Sequence, residues 1–250
     1  MVLINSNLEE NENFSFQKGT VVCIGFFDGL HKYHQKILRR AQKIAQKYDL
    51  DWGVITFSKK IRDYLRNKNI IIQSNHIKYD LISSSYKPNF ILEIQVNDKT
   101  IATSKQEFIN FLKDKVLVEK IIVGSDFTFG HKSSGNVSDL INVFKSENVI
   151  IYRRCEKYST SNIKYYLKNG LIRKVRRQIK RDLEIEIINN SNKKNMFSIV
   201  DSNLELREGT YKIEIDNKKL KVQYINNFFK IDNLMHSKKY CIKILKFYKK

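Results

Sequence analysis

Proline, glycine and cysteine are scarce in this sequence of 250 residues, and each scarcity excludes a class of protein. One proline and nine glycines exclude collagen-like, proline-rich and glycine-linker architectures. The three cysteines, Cys23, Cys155 and Cys241, lie far apart and form no C-x-x-C pair. The sequence therefore predicts neither a zinc clip nor a disulfide framework. We expect three buried or half-buried thiols instead.

Long hydrophobic runs are also missing. No apolar stretch approaches the roughly 18 residues that a membrane-spanning helix needs. The N-terminal segment turns acidic at Glu9, Glu10 and Glu12, and it lacks the basic flank and apolar stretch of a signal peptide. We therefore expect a cytoplasmic protein with no membrane partner. Hydrophobic residues make up 42% of the chain, which is enough for a packed core.

Acidic residues are few compared with basic ones. The chain has 46 Lys and Arg against 26 Asp and Glu, which gives a net charge of +20. Such a surplus is typical of proteins that bind nucleic acid, an anionic membrane or small polyanions such as nucleotides. The same surplus arises from the codon bias of an AT-rich genome, which enriches Lys, Asn and Ile throughout a chain. The charge alone leaves both interpretations open.

Short apolar runs alternate with helical patterns over about the first 170 residues. The β-branched run at 20–25 predicts a buried strand. Apolar residues at helical spacing between Ile37 and Tyr48 predict an amphipathic helix, and a second strand is predicted at 52–57. The remaining predicted elements are strands at 90–94, 120–123 and 149–152, a helix opened by a capping box at 104–107, and a helix at 138–146. This alternation predicts an α/β fold with a parallel sheet.

The pattern changes in the last third of the chain. Residues 164–181 carry eight Lys or Arg and no acid, and Leu171, Val175 and Ile179 form an i, i+4, i+8 stripe, so we expect these charges to decorate a helix. Alternation at 211–215 and 220–224, on either side of a turn, predicts a β-hairpin. We predict an α/β domain at 1–180 and a small β-rich domain at 181–250.

The first chemical motif directly follows the strand at 20–25. Glycines between a strand and a helix let the backbone approach a ligand, and the start of the helix offers free N–H groups for a phosphate. His31 and His34, three residues apart at this point, could donate hydrogen bonds to phosphate oxygens. An exposed pair of histidines is the plain alternative, and zinc binding is a lesser option because no third ligand is evident.

Two further motifs follow later strands. Residues 124–136 place aromatic side chains between glycines, a pattern suited to stacking on a planar ring at the carboxyl edge of an α/β sheet. A loop anchored by two core phenylalanines explains the same spacing. Residues 158–164 open a helix with consecutive hydroxyls and place Lys164 one turn later, which suits a phosphate. An ordinary helix cap explains this motif equally well.

Together the three motifs resemble the prokaryotic bifunctional riboflavin kinase/FMN adenylyltransferase (FAD synthetase) family over residues 18–180. The family's first motif, G-x-F-D-G-x-H-x-G-H-Q, matches at Gly25, Phe27, Asp28, Gly29, His31, His34 and Gln35. Its G-x-[DN]-F-x-F-G-x-x-x-x-G matches at Gly124, Asp126, Phe127, Phe129, Gly130 and Gly135. Its S-S-T-x-I-R is similar to the stretch from Ser159 to Lys164.

The resemblance implies a Rossmann-like nucleotidyltransferase fold and the reaction of FMN with ATP to give FAD and pyrophosphate, with Mg²⁺ bridging phosphate oxygens. The implied catalytic residues are His31, His34 and Lys164. The implied ATP-binding residues are Gly25, Phe26, Phe27, Asp28, Gly29, Ser159, Thr160 and Ser161. The implied flavin or nucleotide pocket comprises Thr56, Phe57, Asp126, Phe127, Phe129 and Gly130. Asp28 is expected either to order its loop or to neighbour the metal.

The sequence departs from the family at several positions. Tyr33 replaces the glycine between the histidines, Lys164 replaces an arginine, and residues 56–60 lack the prolines of the flap that helps to cover flavin. The family's kinase signature contains Pro-Thr-Ala-Asn, yet Pro88 is the sole proline and Thr210 the sole threonine after residue 163. We therefore predict that 181–250 is a reduced kinase-like remnant without riboflavin kinase activity.

Two alternatives to FAD synthesis remain open on the sequence. The altered flap and Tyr33 favour a related nucleotidyltransferase with another small acceptor. The basic segment at 164–181 motivates a degenerate nucleic-acid-binding module, although the scattered lysines carry no nucleic-acid motif and we expect no nucleic-acid partner.

Overall fold

The chain divides into two compact units. The computed structural model describes residues 1–9, 12, 14, 16, 18–153, 156–189, 195–234 and 238–248. The α/β unit comprises 1–27, 34–67 and 79–155, and the barrel unit comprises 28–33, 68–78 and 156–250.

A parallel sheet forms the centre of the α/β unit. The strands of this unit are β1 (Val2–Ser6), β2 (Thr20–Ile24), β3 (Asp51–Phe57), β4 (Phe90–Ile94), β5 (Val118–Gly124), β6 (Thr128–Phe129), β7 (Gly135–Asn136) and β8 (Val149–Tyr152). Six of them form the sheet in the order β1-β4-β3-β2-β5-β8, and every neighbouring pair is parallel. The short strands β6 and β7 pair with each other in antiparallel fashion. The predicted α/β fold is confirmed.

Helices follow the strands as the sequence pattern predicts. They are α1 (Lys32–Tyr48), α2 (Ile61–Leu65), α3 (Asn75–Tyr86), α4 (Asp98–Ala102), α5 (Lys105–Asn110), which continues as a π-helical turn at 111–115, and α6 (Val137–Phe144). The first residues of α1 and α3 belong to the barrel unit. The capping box of Ser104 and Glu107 is confirmed, since the Ser104 side chain accepts from the Glu107 N–H and the Glu107 carboxylate accepts from the Ser104 N–H.

The core of the α/β unit explains why its strands read as continuous apolar runs. All five residues of β2 are buried, as are the five central residues of β3. A strand buried on both faces must be apolar throughout, as is usual in parallel sheets. Helix α1 is amphipathic and buries Ile37, Leu38 and Ala41 while its charged residues face solvent.

Two helices and a closed antiparallel barrel make up most of the barrel unit. The helices are α7 (Thr160–Lys168) and α8 (Ile172–Ile179). The strands are β9 (Leu183–Ile188), β10 (Met196–Ile199), β11 (Gly209–Ile215), β12 (Lys218–Ile225), β13 (Phe228–Lys230) and β14 (Lys239–Tyr248). They close in the order β10-β13-β12-β11-β14-β9. The predicted small β-rich C-terminal region is confirmed.

The prediction of a single helix through the basic segment at 164–181 is wrong in one respect, because two helices share it. Gly170 adopts a φ of 68° between α7 and α8, in the left-handed region that interrupts a helix and favours glycine. Val175 and Ile179 of the predicted stripe are buried, so the charges do decorate a helical face.

The predicted hairpin is confirmed with a shorter turn. Strands β11 and β12 pair from Gly209–Tyr224 to Ile215–Lys218, which leaves a turn of two residues. Asp216 and Asn217 have φ of 47° and 61°, the signs that a two-residue I′ turn requires.

The thiols agree with the sequence only in part. Cys23 is buried, as expected, whereas Cys241 is exposed, so that expectation is wrong for Cys241. Cys155 lies outside the described residues. Among the described residues, no helix is both long and apolar enough to cross a bilayer.

Candidate functional site

The loop of the first motif is anchored within the barrel unit by three separate segments. The Asp28 carboxylate accepts a hydrogen bond from the Ile72 backbone N–H at 2.8 Å. The Thr160 hydroxyl donates to the Asp28 carbonyl at 3.3 Å. The Arg181 guanidinium donates to the Gly29 carbonyl at 3.3 Å and approaches the Leu30 carbonyl at 3.5 Å. The loop that ends at His31 is therefore fixed on several sides.

Gly29 is required at its position for two reasons. Its φ is 72°, in the left-handed region, and a Cβ there would lie 3.0 Å from Ile72 Cδ1 and 3.2 Å from Ile163 Cδ1. Asp28 is 2% exposed, and its carboxylate holds the 70–72 segment. Of the two roles that the sequence left open for Asp28, this geometry fits the ordering of the loop.

His31 is buried just before the start of α1. The side chain is 4% exposed, and burial lowers its pKa to about 4, while the nearby Asp28 charge and a backbone hydrogen bond oppose the shift. Because burial disfavours the charged imidazolium, the ring is neutral at pH 7 and offers one N–H donor and one acceptor nitrogen.

The hydroxyl motif forms the start of α7, as predicted. The Ser159 side chain is the N-cap and accepts from the Asn162 N–H at 3.1 Å. Thr160 contacts the Asp28 loop, whereas Ser161 is exposed. The Lys164 ammonium donates to the Ile70 carbonyl, next to the segment that holds Asp28.

Arg181 is a residue of this region that the sequence analysis did not single out. Besides the loop carbonyls, its guanidinium donates to Gln73 Oε1 at 2.9 Å and to the Ile179 carbonyl at 3.2 Å. In the sequence it is the last of eight basic residues and looks like a solvated charge. Its contacts with Gly29 and Gln73, which lie 152 and 108 positions away in the chain, distinguish it from a solvated charge.

The α/β unit holds the other residues of the first motif. The Phe27 and His34 rings meet edge to face with centroids 5.3 Å apart, and Phe27 adopts a φ of 54°. Thr56 is fully buried, and its hydroxyl points to the Phe26 carbonyl at 3.5 Å. A Cβ on Gly25 would lie 3.3 Å from the Phe27 ring.

An apolar pocket of about 50 Å³, partly open to solvent, lies in the same unit. Three of the six predicted flavin-pocket residues line it, namely Phe57, Phe129 and Gly130. The other lining residues are Leu8, Ile61, Ile94, Val96, Thr100, Ile101, Thr103, Phe108 and Thr128. Its apolar and aromatic walls suit part of a flat, apolar ligand.

The other three predicted pocket residues lie elsewhere in the α/β unit. Thr56 is buried beneath Phe26, and Asp126 is exposed. The Phe127 ring stacks on Phe129 at 5.7 Å with a 23° interplanar angle. Phe129 is itself buried in the apolar core, which agrees with the core-anchor interpretation, and it also lines the apolar pocket.

The strand order of the parallel sheet and the glycine-bounded loops after β2 and β5 define a Rossmann-like α/β protein. Proteins of this class bind ligands at the carboxyl ends of their strands. The FAD synthetase family model matches residues 13–164, more than half of the chain. The chain therefore belongs to the FAD synthetase family.

Curated relatives agree with this assignment. The bifunctional riboflavin kinase/FMN adenylyltransferase of Buchnera aphidicola subsp. Schizaphis graminum is 34% identical over 178 residues, which cover 66% of this chain and 56% of the relative. The FAD synthetase of Listeria monocytogenes serovar 1/2a is 25% identical over 161 residues, which cover 61% of this chain and 65% of that protein. The chain spans about half the length of the first bifunctional relatives it matches.

A solved structure shares the fold over nearly the whole chain. The crystal structure of a macrolide-efflux protein from Streptococcus pneumoniae has a TM-score of 0.78 and 20% sequence identity, and the match covers 99% of this chain and 100% of that one. At this identity the likeness concerns the fold alone.

Proposed function

We propose that this chain is an FMN adenylyltransferase, which transfers AMP from ATP to FMN and releases pyrophosphate. The observation that carries the proposal is that the family match at 13–164 spans all three motifs, including the fixed loop that ends at His31. Family membership also disfavours the degenerate nucleic-acid module. A cytoplasmic location stays a prediction from the sequence.

The chemistry requires positioning and charge neutralisation more than a protein nucleophile. A phosphate oxygen of FMN forms a bond to the α-phosphorus of ATP, and the bond from that phosphorus to the bridging oxygen of the β-phosphate breaks. The two outer phosphates leave as pyrophosphate. Negative charge grows on the leaving group, so hydrogen-bond donors and cations are needed there.

We assign the ATP phosphates to His31, His34 and the start of α7. A neutral His31 donates one N–H to a phosphate oxygen, and its buried position keeps the donor oriented before substrate arrives. Ser159, Thr160, Ser161 and Lys164 would hold the departing pyrophosphate. Lys164 already lies beside Ile70 in the same unit as His31. We also assign ATP binding to the backbone of the loop after β2, which would approach the phosphates closely at Gly25, Phe26, Phe27, Asp28 and Gly29.

We assign the flavin to the apolar pocket of the α/β unit, which is partly open to solvent and would hold part of the ring. Phe57 and Phe129 give it aromatic walls, and Gly130 also lines it. Gly130 has a φ of 73°, and a Cβ there would lie 2.7 Å from the Lys105 backbone nitrogen. Of the other predicted residues, Phe127 stacks on the lining residue Phe129, whereas the pocket lining does not include Thr56 or Asp126.

We propose that Mg²⁺ would arrive bound to the phosphates of ATP. Among the residues that the structure describes, no three His, Cys, Asp or Glu side chains are grouped to hold a metal. Mg²⁺ characteristically keeps several waters and binds through phosphate oxygens and few carboxylates. When bound to ATP it supplies charge neutralisation, and Lys164 and His31 would orient the phosphates.

The direct test is incubation of the purified chain with FMN, ATP and Mg²⁺, with FAD separated by chromatography. We expect FAD to form, and we expect His31→Ala to lower the rate about 100-fold or more. His76→Ala is the matched control, because that side chain is 74% exposed, and it should keep full activity. Absence of FAD, or equal rates for both variants, would contradict the proposal.

We also propose that the chain has no riboflavin kinase activity. This rests on the missing Pro-Thr-Ala-Asn signature in 181–250. Incubation with riboflavin and ATP should yield no FMN. Robust FMN formation would refute the interpretation of this region as a kinase-like remnant.

A second candidate is transfer of AMP or CMP to a different small acceptor. It is favoured by Tyr33 in place of the family's glycine and by the flap at 56–60 without proline. A thermal-shift panel of acceptors separates the two candidates. Stabilisation by FMN alone would remove the second one.

A further inference from the structure

A second concave site lies in the α/β unit, away from the strand ends that carry the motifs. It encloses about 260 Å³, and four basic residues line it: Arg40, Lys43 and Lys47 on α1, and Lys120 on β5. We call it the basic pocket. Lys120 is the third residue of β5, near its amino end, whereas the motif residues of this unit follow the carboxyl ends of β2, β3 and β5.

Two of the ammonium groups in the basic pocket converge on one aromatic ring. The Lys120 Nζ lies 4.5 Å from the centroid of Tyr48, and the Lys47 Nζ lies 5.1 Å from it. Lys120 also donates to Asn148 Oδ1 at 2.6 Å. Cation–π contacts and a hydrogen bond thus orient these groups before any ligand is present.

The charge of the basic pocket is strongly unbalanced. Against four cations stands one lining carboxylate, that of the exposed Glu147. The end of α1 attracts cations through its dipole, which accounts in part for their position. Four like charges around one hollow focus a positive potential that an anion of matching size would neutralise.

We propose that the basic pocket binds a compact oligophosphate, of the inorganic di- or triphosphate class. A charge of −3 or −4 matches the surplus of cations, since four basic side chains and one carboxylate line the pocket. Lys and Arg give charge-assisted hydrogen bonds to phosphate oxygens. A nucleoside triphosphate offers the same chain of phosphates with a base attached, so the test includes ATP.

The experiment compares two double variants of α1 by calorimetric titration with inorganic triphosphate at fixed low ionic strength. The pocket variant is Lys43→Gln with Lys47→Gln. The control is Lys36→Gln with Arg39→Gln, which removes the same charge from exposed positions of the same helix that do not line the pocket. Thermal melts establish that both variants are folded.

We expect the wild type and the control to bind one more equivalent of triphosphate than the pocket variant, or to bind at least tenfold more tightly. Sulfate should bind more weakly than triphosphate. ATP should bind this pocket no better than triphosphate, since the proposed contacts are with the phosphates alone. FAD synthesis at low phosphate should be equal in all three proteins.

Three results would overturn the proposal. One is equal stoichiometry and affinity in the wild type and the pocket variant. Another is an equal loss in the control, which would mean that net charge alone governs binding. The third is equal affinity for sulfate and triphosphate, which would mean that no oligophosphate is recognised. These outcomes do not depend on whether the chain makes FAD.

Discussion

Replacement of Arg181 tests whether the fixed loop before His31 matters for catalysis. In the wild type the guanidinium bonds Gln73 Oε1 at 2.9 Å, the Ile179 carbonyl at 3.2 Å and the Gly29 carbonyl at 3.3 Å. Arg181→Ala removes these bonds and the contact with the Leu30 carbonyl at 3.5 Å, while the hydrogen bonds from Ile72 and Thr160 to Asp28 stay in place.

The expected loss of stability follows from these bonds. Hydrogen bonds to charged groups contribute about 1.5–3 kcal/mol each. Because Arg181 is half-buried and water can replace part of each bond, we expect a total loss of about 3 kcal/mol. For a chain of this size each kcal/mol lowers Tm by about 2–4 °C, so Tm should fall by about 6–12 °C. Arg181→Lys keeps the charge but loses the planar fork of the guanidinium. Its Tm should therefore lie between those of the wild type and Arg181→Ala.

The expected loss of activity is larger than the loss of stability would explain. A displacement of about 1 Å in a catalytic group costs on the order of 100-fold in rate. We therefore expect kcat for FAD synthesis to fall about 100-fold in Arg181→Ala at a temperature where the protein is fully folded. The KM for FMN should change little, because the apolar pocket lies in the other unit.

Arg176→Ala is the matched control. Arg176 also belongs to the basic segment, but its guanidinium is 50% exposed and pairs with Asp182 at the surface. Surface ion pairs contribute about 0–1 kcal/mol, so Tm should fall by at most a few degrees and kcat should not change. An unchanged kcat in Arg181→Ala, or an equal fall in Arg176→Ala, would refute the reasoning.

The remaining predictions concern His31 and Gly130. The pKa of His31 is lowered to about 4 in the folded chain, against about 6.5 unfolded. Between these values the unfolded state binds more protons, so stability should fall by up to about 3 kcal/mol as pH drops from about 6.5 to 4. Denaturant unfolding at a series of pH values should show that the free energy of unfolding falls with decreasing pH in the wild type, and falls less in His31→Gln. An equal pH dependence in the two proteins would contradict this prediction. Gly130→Ala places a Cβ 2.7 Å from the Lys105 backbone nitrogen at a φ of 73°. We expect the free energy of unfolding to fall by about 1–3 kcal/mol in denaturant titrations. We also expect steady-state kinetics to show a raised KM for FMN, and an unchanged KM would argue against the flavin assignment.

The sequence predicted the elements whose pattern is local. The β-branched run at 20–25, the amphipathic helix from Ile37 to Tyr48 and the hairpin around Asp216 all follow from spacing of apolar residues or from turn chemistry. The break between α7 and α8 was missed because helical charge patterning continues across Gly170. Strand β1 was missed because its residues are mostly exposed, and it is a strand through its pairing with β4.

The sequence by itself determined the α/β class, the three motifs and the absence of a kinase signature, since each depends on residues close together in the chain. Only the tertiary structure decided what holds the motifs. Ile72 and Arg181 reach the loop of Asp28 and Gly29 from 44 and 152 positions away. The six strands from Leu183 onward close into a barrel through pairings such as that of β9 with β14. Such contacts depend on how distant segments pack, and the pattern of one segment contains no information about its distant partner.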